Sequence, residues 1–166
     1  MSVIIKVIIE GFVQCAMLFA ICAIGIRNGA VNMVFLYEND VMQRVVENGL
    51  TTPEKIKKGK AIFMLFGVFF LYLLYTPVCV YAINGARGFL DGFLQMLGII
   101  MLTSVFDRIV IDLIWVGHTK AWIIPGTEDL RPYIPFKTHI KKWFLTIVEI
   151  PAVVALLAWV MSLIIK

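Results

Sequence analysis

Four long apolar runs, separated by connections that hold most of the charge, constrain this chain more than any other feature. A helix needs about 20 mostly apolar residues, rising about 1.5 Å each, to cross a bilayer. The runs at 3–26, 61–83, 89–116 and 143–165 meet that requirement. Backbone polar groups must be satisfied internally in hydrocarbon, so such runs predict helices. The expected fold is therefore all-α: one membrane domain over residues 1–166, a bundle of four transmembrane helices with a cytoplasmic amphipathic surface helix. Composition agrees, since 61% of the residues are hydrophobic and 16% charged, far from a soluble average.

The first run has Lys6 as its early cation and Glu10 within the apolar stretch, which reads as a retained helix rather than a cleaved leader. Lys6, Glu10 and Gln14 follow at i, i+4 spacing and form one polar stripe. A Lys6–Glu10 pair near the interface, with Gln14 bonded to another helix, accounts for them; a proton or cation carrier at Glu10 is the sharper alternative. The cysteines at 15, 22 and 79 lie in apolar runs without CxxC spacing and read as small buried hydrophobes.

Between the first two runs, Glu38, Asp40 and Arg44 make 31–46 too charged to span. Val34, Phe35, Val41, Met42, Val45 and Val46 gather on one side of a helix, which predicts a surface helix near Met33–Val46 lying on the membrane. Thr52-Pro53-Glu54-Lys55 reads as a helix start, with a threonine cap and proline at the first helical position. The basic run Lys55, Lys57, Lys58 and Lys60 reads as a topology anchor, with anionic headgroup binding as its alternative. Thr76-Pro77 predicts a kink in the second run. Residues 84–88 form a short turn, so the second and third helices should pair antiparallel.

Both long connections, 27–60 and 118–142, are rich in Lys and Arg, whereas the short turn has Arg87 alone. The positive-inside rule puts both long connections in the cytoplasm and both termini outside, in a multi-pass protein of the cell membrane.

The third run carries the chemistry. Asp107, Arg108 and Asp112 fall within six positions of it, and ionisable groups in a span form a functional-site hypothesis by default. Asp107 lies roughly 22 Å along from the outer end and Glu149 roughly 9 Å in from the inner end of the fourth run, so Asp107, Arg108 and Glu149 share an inner-leaflet layer. At about 100° per residue Arg108 and Asp112 pair on one face, whereas Asp107 points about 140° from Asp112, so the two aspartates do not easily share one ion without a break in the helix. His118 and Lys120 follow at the helix exit, and a proton, a cation, or a basic group such as Lys120 or Lys141 is expected to offset the net negative charge of the layer. The candidate ligand- or ion-binding residues are thus Asp107, Arg108, Asp112, Glu149, His118 and Lys120, with Glu10, Gln14, Trp122 and Glu128 as secondary candidates. A metal would need Glu149 or a second copy to complete its ligands, and no motif names a cofactor.

The loop 120–133 is expected to be structured. Trp115, Trp122, Trp143 and Tyr133 read as interfacial anchors. Pro125-Gly126-Thr127-Glu128-Asp129 is a turn in which Thr127 is placed to cap a short acidic helix. Phosphate-loop, Gly-x-Ser-x-Gly and HExxH patterns are missing, and Asp-Arg-x-x-x-Asp lacks the glycines and further aspartates of lipid phosphotransferases.

These features favour transport, or binding of a small ligand or ion. An accessory or assembly subunit of a membrane complex is one alternative. A membrane-embedded enzyme acting on a lipid or anionic substrate at the cytoplasmic face is the other. The expected partners are the bilayer and further copies or a larger complex. A net charge of +4 spread over loops beside the membrane gives nucleic-acid binding no support.

Overall fold

The structure, a computed structural model, describes residues 2–165. Among them every regular element is helical. Helix α1 spans Val3–Ile26, and a 3-10 segment, Ala30–Leu36, leads to α2 at Asn39–Glu47. Helix α3 runs over Pro53–Ile83. Helix α4 is α-helical over Gly88–Phe106 and π-helical over Asp107–Val116. Helix α5 runs over Phe136–Ile164. Three of these, α1, α3 and α5, are long and apolar enough to cross a membrane, which suggests a membrane protein. Helix α4 carries Asp91, Asp107, Arg108 and Asp112, and it forms the centre of the bundle with α1 packed on one side and α5 on the other.

Local chemistry sets the helix ends. Thr52 Oγ1 accepts the Lys55 backbone N–H at 3.4 Å and Pro53 takes the first helical position, so α3 begins eight residues before the apolar run at 61. Pro135 precedes the first residue of α5, which starts at Phe136 rather than at 143 because the basic segment 137–142 extends the apolar helix. Gly85 and Gly88 both adopt φ +72°, which lets the 84–88 turn reverse the chain. Next to that turn Gly92 lies against Tyr81, leaving no room for a Cβ. Helices α3 and α4 meet chiefly there, and α4 is otherwise flanked by α1 and α5.

The buried side chains form two clusters. One joins α3, α4 and α5 through Cys79, Val80, Met96, Ile99, Val154 and Ala158. The other lies at the end of the bundle that bears both long connections and includes Val34, Val41, Val45, Trp122, Ile124 and Tyr133. That second cluster corrects two expectations. The segment 33–46 is not one surface helix, because the chain is extended at Tyr37 between the 3-10 segment and α2. Its valines face inward: Val34, Val41 and Val45 are all buried against the loop 120–134 rather than laid on a membrane. Trp122 and Tyr133 are likewise no interfacial anchors; Trp122 is fully buried and Tyr37 donates to its carbonyl oxygen at 2.8 Å. Aromatic contacts close this small core, with Tyr37 stacked on Tyr133 and Trp115 edge-on to Trp122.

Candidate functional site

At Asp107 the backbone of α4 changes from α to π winding. In a π-helix the hydrogen bonds run between residues five apart, so residues four and five apart come to one side; the same winding recurs over Met64–Tyr75, Val78–Ile83 and Leu145–Glu149. Asp107 and Asp112 are five apart. The expectation that they point away from each other holds for an α-helix and is overturned by this winding. The Arg108 guanidinium bridges them: its Nη1 lies 3.1 Å from Asp107 Oδ2 and donates to Asp112 Oδ2 at 2.6 Å.

Helix α5 supplies the rest. Lys142 Nζ donates to the same Asp112 Oδ2 at 2.9 Å, and Arg108 Nε donates to Thr146 Oγ1 at 3.4 Å. The Thr146 hydroxyl in turn donates to the Lys142 carbonyl at 3.0 Å. Asp112 is buried, and Lys142 keeps a quarter of its side chain exposed. The cation that completes the cluster is therefore neither Lys120 nor Lys141. Its signal was the i, i+4 spacing of Lys142 and Thr146, which puts the two on one side once α5 is extended back to Phe136.

Beside this network lies a cleft of about 460 Å³ between α3 and α5, with α4 as its floor. Asp107, Arg108 and Glu149 line one end of it, together with Tyr72 and Ser104, and apolar side chains as far as Leu157 line the other. From Glu149 to Leu157 the α5 wall rises about 12 Å. Among the described residues Glu149 makes no ion pair and no side-chain hydrogen bond, and its side chain is exposed. The cluster thus sets three carboxylates against two cations, with the uncompensated one facing the cleft.

The other candidates lie apart from it. His118 is exposed, its Nδ1 2.6 Å from the Leu113 carbonyl, and it lines a separate recess with Arg131 and His139. Lys120 is exposed and forms no ion pair among the described residues. Glu128 accepts the Gly126 backbone N–H at 2.8 Å and closes the turn, while the Thr127 hydroxyl turns inward to the Ile124 carbonyl instead of capping the short helix that follows. At the far end of the bundle Glu10 accepts from Asn84 Nδ2 at 2.9 Å, and Gln14 Oε1 accepts from the Thr76 hydroxyl at 3.0 Å. Lys6 and Glu10 form no ion pair among the described residues. Nor do three His, Cys, Asp or Glu side chains converge as a metal set among these residues.

Comparison with protein-family models, with curated proteins and with solved structures finds no match for this chain. The functional reading rests on the cleft and its charges.

Proposed function

We propose that this is a multi-pass membrane protein that binds, and as a carrier moves, a small amphiphile with a cationic head. Helix α4 crosses the bilayer beside α1, α3 and α5, giving four spans. The lysines and arginines of the two long connections support a cytoplasmic position for them and an inner-leaflet position for the cleft. The observation that carries the reading is Glu149: an unpaired carboxylate at the polar end of an otherwise apolar cleft that opens sideways between two helices. A carboxylate in that setting is costly without a counter-charge, and an ammonium group with an alkyl tail supplies both the charge and the apolar surface. Arg108 and Lys142 are already engaged by the aspartates, so the network holds Asp107 and Asp112 in place and leaves Glu149 to the ligand.

The test is thermal unfolding of the purified protein in mild detergent with n-octylammonium, and with n-octanol as the uncharged control. A ligand at 100 times its Kd stabilises by about 2.7 kcal/mol. Octylammonium is expected to raise the midpoint of the wild type and leave that of Glu149→Gln unchanged. An equal response to octanol, or an undiminished response of the variant, refutes the reading.

One observation favours a second reading, an assembly role. Only 11% of the most apolar stretch of α5 is buried within the chain. A helix so exposed has a face free for lipid or for another subunit, and the native mass of the purified protein separates the two.

A further inference from the structure

A second cavity is larger than the charged cleft. It is a groove of about 550 Å³ between α1 and α3, walled by apolar side chains such as Met17, Ile24, Met33, Phe63, Phe66 and Leu71. From Met17 to Gly25 it extends about 12 Å along α1, most of the depth of one leaflet of a hydrocarbon core about 30 Å thick. At the connection end it runs into a smaller recess of about 240 Å³ that carries Lys55 and Lys58. The two share Asn32, Gly59 and Ile62 as walls. At this junction α3 lies close on the 3-10 segment, since a Cβ on Gly59 would stand 3.3 Å from both the Asn32 carbonyl oxygen and the Phe35 ring. Lys55 and Lys58 are exposed and take no part in an ion pair among the described residues. Lys57 and Lys60, the other members of the basic run, line a different recess together with Glu47.

We propose that this groove holds one anionic phospholipid, an acyl chain lying between α1 and α3 and the phosphate resting against Lys55 and Lys58. Two properties select that occupant. The apolar length matches a single leaflet, and the charged side chains that line the recess at its mouth, Lys55 and Lys58, are positive and unpaired among the described residues. Basic groups at a membrane surface attract anionic headgroups, and here two of the four lysines are joined to an acyl-sized groove while two are not.

Native mass spectrometry of the full chain in mild detergent tests this, with phosphatidylglycerol and phosphatidylcholine of identical acyl chains as the probes. Two lysines correspond to a preference of about 30-fold for the anionic lipid. Replacing both with glutamine, Lys55→Gln and Lys58→Gln, is expected to bring the ratio close to one. The matched pair Lys57→Gln and Lys60→Gln is expected to keep it. Ala20 is exposed on the groove wall, so Ala20→Phe fills the groove and is expected to lower the retention of both lipids. Equal retention of the two lipids by the wild type overturns the proposal. So does an equal loss of preference in the two lysine pairs, which would mean diffuse surface attraction. Displacement of the lipid by glycerol phosphate at equal concentration overturns it as well, because the groove would then contribute nothing. The lysine variants change exposed side chains only, so the comparison stands even where Ala20→Phe disturbs folding.

Discussion

Asp112 and Lys142, thirty residues apart in the chain, meet across the interface of α4 and α5 with Nζ 2.9 Å from Oδ2. The same oxygen accepts from Arg108 at 2.6 Å, so one buried carboxylate ties two cations from two helices. Burying such a carboxylate is tolerable only while both partners remain, and the converse holds for the cations.

Asp112→Asn leaves Arg108 and Lys142 facing each other without the charge that joins them. Removing one partner of a buried ion pair costs about 3–5 kcal/mol. Thermal unfolding in detergent, followed by tryptophan fluorescence, should register a loss of that size. Lys142→Met should cost markedly less in the Asp112→Asn background than alone, a coupling of about 0.5–3 kcal/mol for groups in one network. Additive losses would mean that the two residues do not act together.

A second ion pair sets the contrast. Arg44 and Asp129 also join distant segments, at 3.3 Å, but their side chains are 39% and 64% exposed. Water screens them, and exposed pairs contribute at most about 1 kcal/mol. Asp129→Asn is therefore expected to shift the unfolding midpoint far less than Asp112→Asn, and raising the salt concentration should erase what difference remains.

Hydropathy located α1, α3, α4 and α5, since long apolar runs satisfy their own backbone as helices, and of these four α1, α3 and α5 are long and apolar enough to cross a membrane. The boundaries of α1 coincide with the apolar run, whereas α3 and α5 begin earlier, at Pro53 and Phe136, where charged residues form the first turns of a helix that the apolar run continues. Two site features were out of reach of that approach. The π winding after Phe106 depends on how α4 packs, and it alone turns Asp107 towards the side of Asp112. The burial of Trp122 depends on the segment 30–47 folding back over the loop, a long-range contact with no periodic signature in the sequence. Asp107, Arg108, Asp112 and Glu149 stood out because charge in an apolar run is costly; Lys142 did not, because a lysine beside such a run is ordinary.

Glu149 differs from the aspartates in having nothing to lose. It makes no ion pair among the described residues, and an unpaired carboxylate beside the apolar cleft is costly, so Glu149→Gln should leave the unfolding midpoint at or above that of the wild type. Circular dichroism and thermal unfolding without added ligand check this. A large loss would show that the carboxylate supports the bundle and would withdraw it from the binding site.

The Tyr37 hydroxyl, buried among aromatic side chains, donates to the Trp122 carbonyl oxygen at 2.8 Å. Burial, with the Tyr133 phenol adding to it, pushes its pKa well above the ordinary 10.0. The folded chain thus keeps this proton at a pH where the unfolded chain has lost it. The resulting stability is fully present below pH 10 and declines as the pH rises beyond that point. Tyr37→Phe removes the hydrogen bond and is expected to cost about 1 kcal/mol at neutral pH. It also removes the titrating group, so above pH 10 the variant should lose stability less steeply than the wild type, by up to about 1.4 kcal/mol per pH unit. Unfolding midpoints of both proteins from pH 8 to 11, the pH range chosen to bracket the ordinary value, make the comparison. Parallel curves for the two proteins would mean that Tyr37 titrates alike in the folded and unfolded chain, and that the loop does not shield it.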